Sequence, residues 1–81
     1  MYQLNVHPDA EPQIAHLPDE ALGPLAELFA LLETAPWSGR PFGQQNPRAN
    51  MLTHTFGEAG LAVYFVLEEQ REVHLLRVQW A

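Results

Sequence analysis

The chain has no cysteine and no lysine. Without cysteine it can form neither a disulfide nor a thiolate metal site, a composition that suits a reducing compartment. Without lysine its four bases are all arginines (Arg40, Arg48, Arg71 and Arg77), set against ten acids for a formal net charge of −6. Nucleic-acid affinity is built from many Lys and Arg contacts to phosphate, so a broad basic face and free DNA binding are excluded. A local basic spot is still open, because all four arginines fall between residues 40 and 77. No apolar run approaches the ~20 residues that span a bilayer. The opening Met1-Tyr2-Gln3-Leu4-Asn5-Val6 lacks the basic start and long apolar core of a secretion signal. The expectation is a cytoplasmic protein without membrane contact.

What is present is enough for one small domain over residues 1–81, with 47% apolar residues. A chain of this size buries only about 60% of its unfolded surface, so added burial against a partner matters to its stability. Alanine and proline richness without lysine points to a GC-rich genome. Tyr2, Leu4 and Val6 alternate with Gln3 and Asn5 as a first strand. Pro8 suits the first turn of a short helix running to about His16. Leu22, Leu25, Leu28, Phe29 and Leu32 recur at helical spacing opposite Glu20, Glu27 and Glu33. Gly23-Pro24 predicts that this second helix starts near Gly23 or follows a separate turn. It ends at Ala35-Pro36.

Residues 36–49 read as one long loop carrying Trp37, Arg40 and Arg48, and loops this long are often functional. Three strands follow, at about 50–56, 61–68 and 72–80, the first two joined by Gly57-Glu58-Ala59-Gly60. The order strand, helix, helix, strand, strand, strand gives an α+β domain. Two N-terminal helices then pack on one face of a mainly antiparallel four-stranded sheet. The last two strands are apolar on both faces. Leu61 to Leu67 holds only apolar residues and Tyr64, and Val73 to Trp80 is mostly apolar. A strand facing water on one side alternates, whereas a strand covered on both sides need not. Two helices cover one face of such a sheet, so the composition asks what covers the other.

In order and spacing the chain resembles the RelE/ParE toxin superfamily of type II toxin–antitoxin systems. The resemblance runs from the opening strand through Leu17-Pro18 and the proline-ended second helix to the closing meander. Phe56-Gly57-Glu58-Ala59-Gly60-Leu61-Ala62-Val63-Tyr64 and Val73-His74-Leu75-Leu76-Arg77-Val78 are its most specific pieces. It implies a protein neutralised by a small antitoxin that wraps it. It also implies, for RelE-like members, metal-independent, ribosome-dependent cleavage of mRNA by basic and Tyr or His side chains on the open sheet face. No cofactor is implied. The chain departs from the pattern at the chemistry. The expected third-strand arginine is Leu61, no lysine contributes to a basic cluster, and the chain ends at Gln79-Trp80-Ala81.

The catalytic candidates that remain are Arg48, His54 and Arg77. Period-two alternation from Leu61 puts Val63, Phe65 and Leu67 on the open face and Tyr64 on the helix side. Leu61, Val63, Phe65, Val73, Leu75 and Trp80 are read as a surface for a protein partner, either antitoxin-like or a second copy in a homodimer. Trp37 and Arg40 are the loop's candidate contacts to a ligand or partner. His7, His16, His54 and His74 match no compact metal-ligand spacing. Three functions are therefore carried forward. The first is a toxin-like protein with weakened ribonuclease chemistry and, at most, residual ribosome or mRNA contact. The second is a non-catalytic interaction module of the same fold. The third is a small-ligand binder using the 36–49 loop.

Overall fold

A computed structural model describes residues 1–42 and 50–81. Its elements are β1 (Gln3–Val6), α1 (Ala10–Ala15), α2 (Asp19–Thr34), a 3-10 turn (Pro36–Ser38), β2 (Arg40–Pro41), β3 (Met51–Phe56), β4 (Gly60–Leu67) and β5 (Glu72–Trp80). They form one sheet in the order β1-β5-β4-β3-β2. β1 runs parallel to β5, and the other pairs are antiparallel. The sheet has one strand more than the sequence pattern indicates. Arg40 and Pro41, inside the segment read as loop, pair with Thr53 and Leu52. Two residues are too few to leave a periodic signal.

Helix α1 is shorter than its sequence signal and starts after Pro8. Pro12 falls within its first turn, where backbone N–H groups have no helical acceptor in any case. Helix α2 runs unbroken from Asp19 through Gly23-Pro24, contrary to the expected break. The proline removes only the N–H that would bond the Glu20 carbonyl. Glu20 is exposed, so water can take that bond. Asp19 and Glu20 stand at the positive end of the helix.

The helices bury Ala10, Ala21, Leu25, Leu28 and Leu32 against one face of the sheet. That face presents Leu52, Phe56, Ala62, Tyr64, Val66, Val73, Leu75 and Val78. Directly paired residues share a face. Leu52 pairs with Tyr64, Ala62 with Val78, Tyr64 with Leu75 and Val66 with Val73. Tyr64 is fully buried, and its hydroxyl donates to the Pro36 carbonyl at 2.6 Å. Gly39 lies against it; a Cβ there would collide with the Tyr64 hydroxyl and come within 2.6 Å of the Thr53 carbonyl.

This pairing corrects the reading of β5. Val73 and Leu75, assigned to the open face, are completely buried under the helices. Simple alternation from Val73 puts Leu75 and Arg77 on the same face. The strand does not alternate simply, because the register shifts opposite Val63 and Tyr64. Tyr64 pairs with Leu75, Val63 pairs with Arg77, and Leu76 is the extra residue of a β-bulge. The bulge sends Leu75 inward and Arg77 outward.

Trp80 is also corrected. It pairs with Gly60, its ring centroid lies 5.8 Å from that of Phe56, and it packs on the core rather than on the open face. Gly57, at a positive φ of 62°, turns the chain beneath the Trp80 ring.

Candidate functional site

The sheet face away from the helices is built from cross-strand rows. In one row stand Thr55, Leu61 and Gln79. In the next stand Arg40, Thr53, Val63 and Arg77. Beyond it come Met51, Phe65, His74 and Asn5. Leu61, Val63 and Phe65 therefore lie on the open face, with Leu67 continuing their column opposite Glu72. All four are half-buried by their neighbours in the sheet. Among the described residues no helix packs over them.

Two arginines border this apolar ground. Arg40 and Arg77 are exposed and close the two ends of one row. Three strand spacings separate them, about 14 Å. Neither forms an ion pair among the described residues. With its amide turned to face the guanidinium, Gln79 accepts from Arg77 Nε at 3.0 Å and from Nη2 at 2.6 Å. That contact orients Arg77 and leaves other guanidinium donors free. Beside Arg40 a groove of about 460 Å³ runs along the sheet edge, lined by Ser38, Gly39, Thr53, His54, Thr55 and Leu61. At the far end of the face, Glu72 lies 3.0 Å from His74 Nε2, and the His74 ring stacks on Phe65 at 4.8 Å.

The three catalytic candidates do not come together. Arg77 is on the open face. His54 pairs with Ala62, a fully buried residue of the helix-side face, so His54 belongs to that face at its rim near Leu28 and Leu31. Its Nδ1 lies 2.7 Å from the Thr55 carbonyl, a bond along its own strand. His54 and Arg77 are thus separated by the thickness of the sheet. Arg48 lies outside the described residues. Tyr64 is no acid for the open face either: it is sealed in the core, where burial pushes its pKa up. Among the described residues no three metal-ligating side chains cluster.

Trp37 belongs to a cluster that the sequence reading missed. Glu68 Oε1 accepts from the Tyr2 hydroxyl at 2.6 Å and from Trp37 Nε1 at 2.7 Å. Glu68 Oε2 accepts from Arg71 at 2.6 Å. Arg71 also donates to the Tyr2 hydroxyl at 3.0 Å and lies 4.2 Å over the Tyr2 ring. Hydrogen bonds from Tyr2, Trp37 and Arg71 hold the Glu68 carboxyl down at about 2. The same bond raises the Tyr2 pKa. Partners up to 69 positions apart meet here, and no local motif announces them. The cluster ties the N-terminus, the 3-10 turn and the β4–β5 turn together, so Trp37 has a structural partner although its ring is half exposed.

A strand, two helices on one side and an antiparallel meander closed by the parallel first strand make an α+β fold that solved RelE structures share. The toxin–antitoxin complex RelBE2 of Mycobacterium tuberculosis contains a chain that superposes with a TM-score of 0.83 at 21% identity, over 99% of this chain and 91% of that one. The intact RelBE complex of E. coli gives 0.81 at 17% identity, over 100% and 98%. An E. coli RelE mutant in complex with an antitoxin peptide gives 0.78 at 17%, over 99% and 83%. No family model and no curated protein matches the sequence. The chain has the fold of the RelE toxins, and at these identities the likeness is one of fold.

Proposed function

We propose that the chain is the toxin-like member of a type II toxin–antitoxin pair in a bacterial cytoplasm. In this reading it is held by an antitoxin-like protein and has little or no RNA-cleaving chemistry of its own. The observation that carries the reading is the composition of the open face. Leu61, Val63 and Phe65 occupy its centre, Arg40 and Arg77 are its strand-borne arginines at the two ends of one row, and His54 pairs into the other face of the sheet. General acid–base cleavage needs a proton acceptor and a charge stabiliser within reach of one bound group. Arg40 and Arg77 supply the second, and the imidazole on this face, His74, is stacked on Phe65 and engaged by Glu72 at 3.0 Å. The solved complexes of this fold with RelB antitoxins support a protein partner.

Two measurements test this. The product of a small neighbouring gene, co-expressed with the chain, is expected to co-purify with it at fixed stoichiometry. Ribosome-programmed mRNA incubated with the purified chain is expected to stay intact. Cleavage that disappears in Arg77→Ala would overturn the loss of catalysis, and a chain that passes alone through co-expression would remove the toxin–antitoxin assignment.

A further inference from the structure

We infer a separate protein-binding site on the helix side of the molecule. It is a groove along the flank of α2 that takes a basic segment of a partner protein, with an arginine of that segment on the Trp80 ring between Glu20 and Glu58. The groove lies across the sheet from the open face and is distinct from the antitoxin contact proposed there.

Along α2, Glu20, Pro24, Glu27 and Leu31 recur at helical intervals and form one stripe. It runs beside the stripe of Ala21, Leu25, Leu28 and Leu32 that faces the core. β3 and the turn after it form the opposite wall. Between the walls lie two hollows, of about 200 and about 300 Å³, and both are lined by Pro24 and Gly57, where they meet. A Cβ on Gly57 would stand 3.0 Å from the Trp80 ring and 3.3 Å from the Pro24 Cβ, so the bare glycine lets ring and proline converge at this waist. Pro24, Leu31 and Trp80 are half-buried and give the groove its apolar ground.

The rim is of one sign. Glu20 and Glu27 stand about 10 Å apart along the helix axis, at ~1.5 Å per residue. Glu58 faces them from the β3–β4 turn, and all three are exposed. None of them forms an ion pair among the described residues. The described arginines are elsewhere, Arg40 and Arg77 on the open face and Arg71 on Glu68. The basic ring in the groove is that of His54, whose Nδ1 lies 2.7 Å from the Thr55 carbonyl. An apolar floor suits a side chain with a hydrocarbon stem, carboxylates suit a cation at its tip, and an indole adds cation–π attraction. Arginine meets all three conditions, and its planar guanidinium stacks on a ring where an ammonium does not. A nucleic acid or an acidic segment meets three unpaired carboxylates. A second copy brings its own −6, and like charges across an interface oppose association. Bases three residues apart on an extended segment, at ~3.3 Å per residue, match the interval from Glu20 to Glu27.

The test uses the purified full chain and a labelled synthetic peptide with arginines three residues apart and leucines between them. Fluorescence anisotropy is read at about 0.15 M salt, where charges are screened beyond about 8 Å. Binding is expected to weaken about threefold in each of Glu20→Gln, Glu27→Gln and Glu58→Gln, the size of one exposed charge pair. Trp80→Phe, which keeps a ring against Phe56, is expected to weaken the arginine peptide more than its lysine counterpart. Glu11→Gln and Glu69→Gln remove the same charge outside the groove and are expected to leave binding unchanged. Equal losses in Glu11→Gln and Glu69→Gln overturn the inference, because they reduce it to the general pull of an acidic body. Groove variants that bind at the parent's strength overturn it, as does a Trp80→Phe change that spares the arginine peptide, or an acidic peptide that binds as well as the basic one. A dimer in sizing experiments that Glu58→Arg dissolves overturns it too, by giving the groove to a second copy. None of these variants alters Leu61, Val63 or Phe65, so failure here leaves the proposed toxin–antitoxin assignment standing.

Discussion

At the scale of single residues, Glu68 sets the pH response. Its carboxyl accepts from three side chains, and its pKa falls from the ordinary 4.5 to about 2. A carboxyl whose folded pKa lies below its unfolded value contributes stability above the unfolded value. It loses that contribution as pH falls toward the folded one. Thermal unfolding followed by circular dichroism should therefore show a melting temperature that declines from about pH 4.5 toward pH 2. Glu68→Gln should flatten that decline and lower the plateau near neutrality. The cluster was invisible in the sequence because Tyr2, Trp37 and Glu68 are distant and individually ordinary. His54 could be placed on its strand from the sequence, but not on its face, since every neighbour that decides the face belongs to another strand.

At the scale of elements, the two sheet edges are covered unequally. β1 pairs with β5 only as far as Leu75. Past that point the Gln13 side chain from α1 accepts the Val78 N–H at 2.8 Å. On the other edge β2 reaches only Leu52 and Thr53, and the His54 ring takes the Thr55 carbonyl. Side chains thus occupy backbone groups that an incoming strand would use. Gln13→Ala should cost about 1–3 kcal/mol by leaving a buried donor unpaired. It should also raise light scattering on storage, measured against Gln13→Glu, which keeps an acceptor. The long elements were legible: α2 from its leucine spacing, β3 from alternation, and β4 from its unbroken apolar run after the Gly57–Gly60 turn. β2 was too short to read, and α2 carried a proline that position, not propensity, made tolerable.

At the scale of the molecule, a domain of this size rests on one cluster. Leu32 is wholly buried at its centre. Leu32→Ala should cost about 2–5 kcal/mol and lower the melting temperature by at least ~8 °C, measured with the far-UV signal as the check on fold. The α+β class and the helix-covered face followed from element order. The full composition of the opposite face did not, because it depends on where β5 shifts register. That shift has a consequence for how the chain tolerates change in length. Leu76 is supernumerary, so a variant lacking it regains unbroken alternation with Leu75 still inward and Arg77 still outward. It should keep the far-UV spectrum of the parent. Straightening the present strand without losing a residue would instead bury Arg77 and expose Val78. A single-codon deletion is therefore the milder event here, and a substitution that forces regular pairing the harsher one.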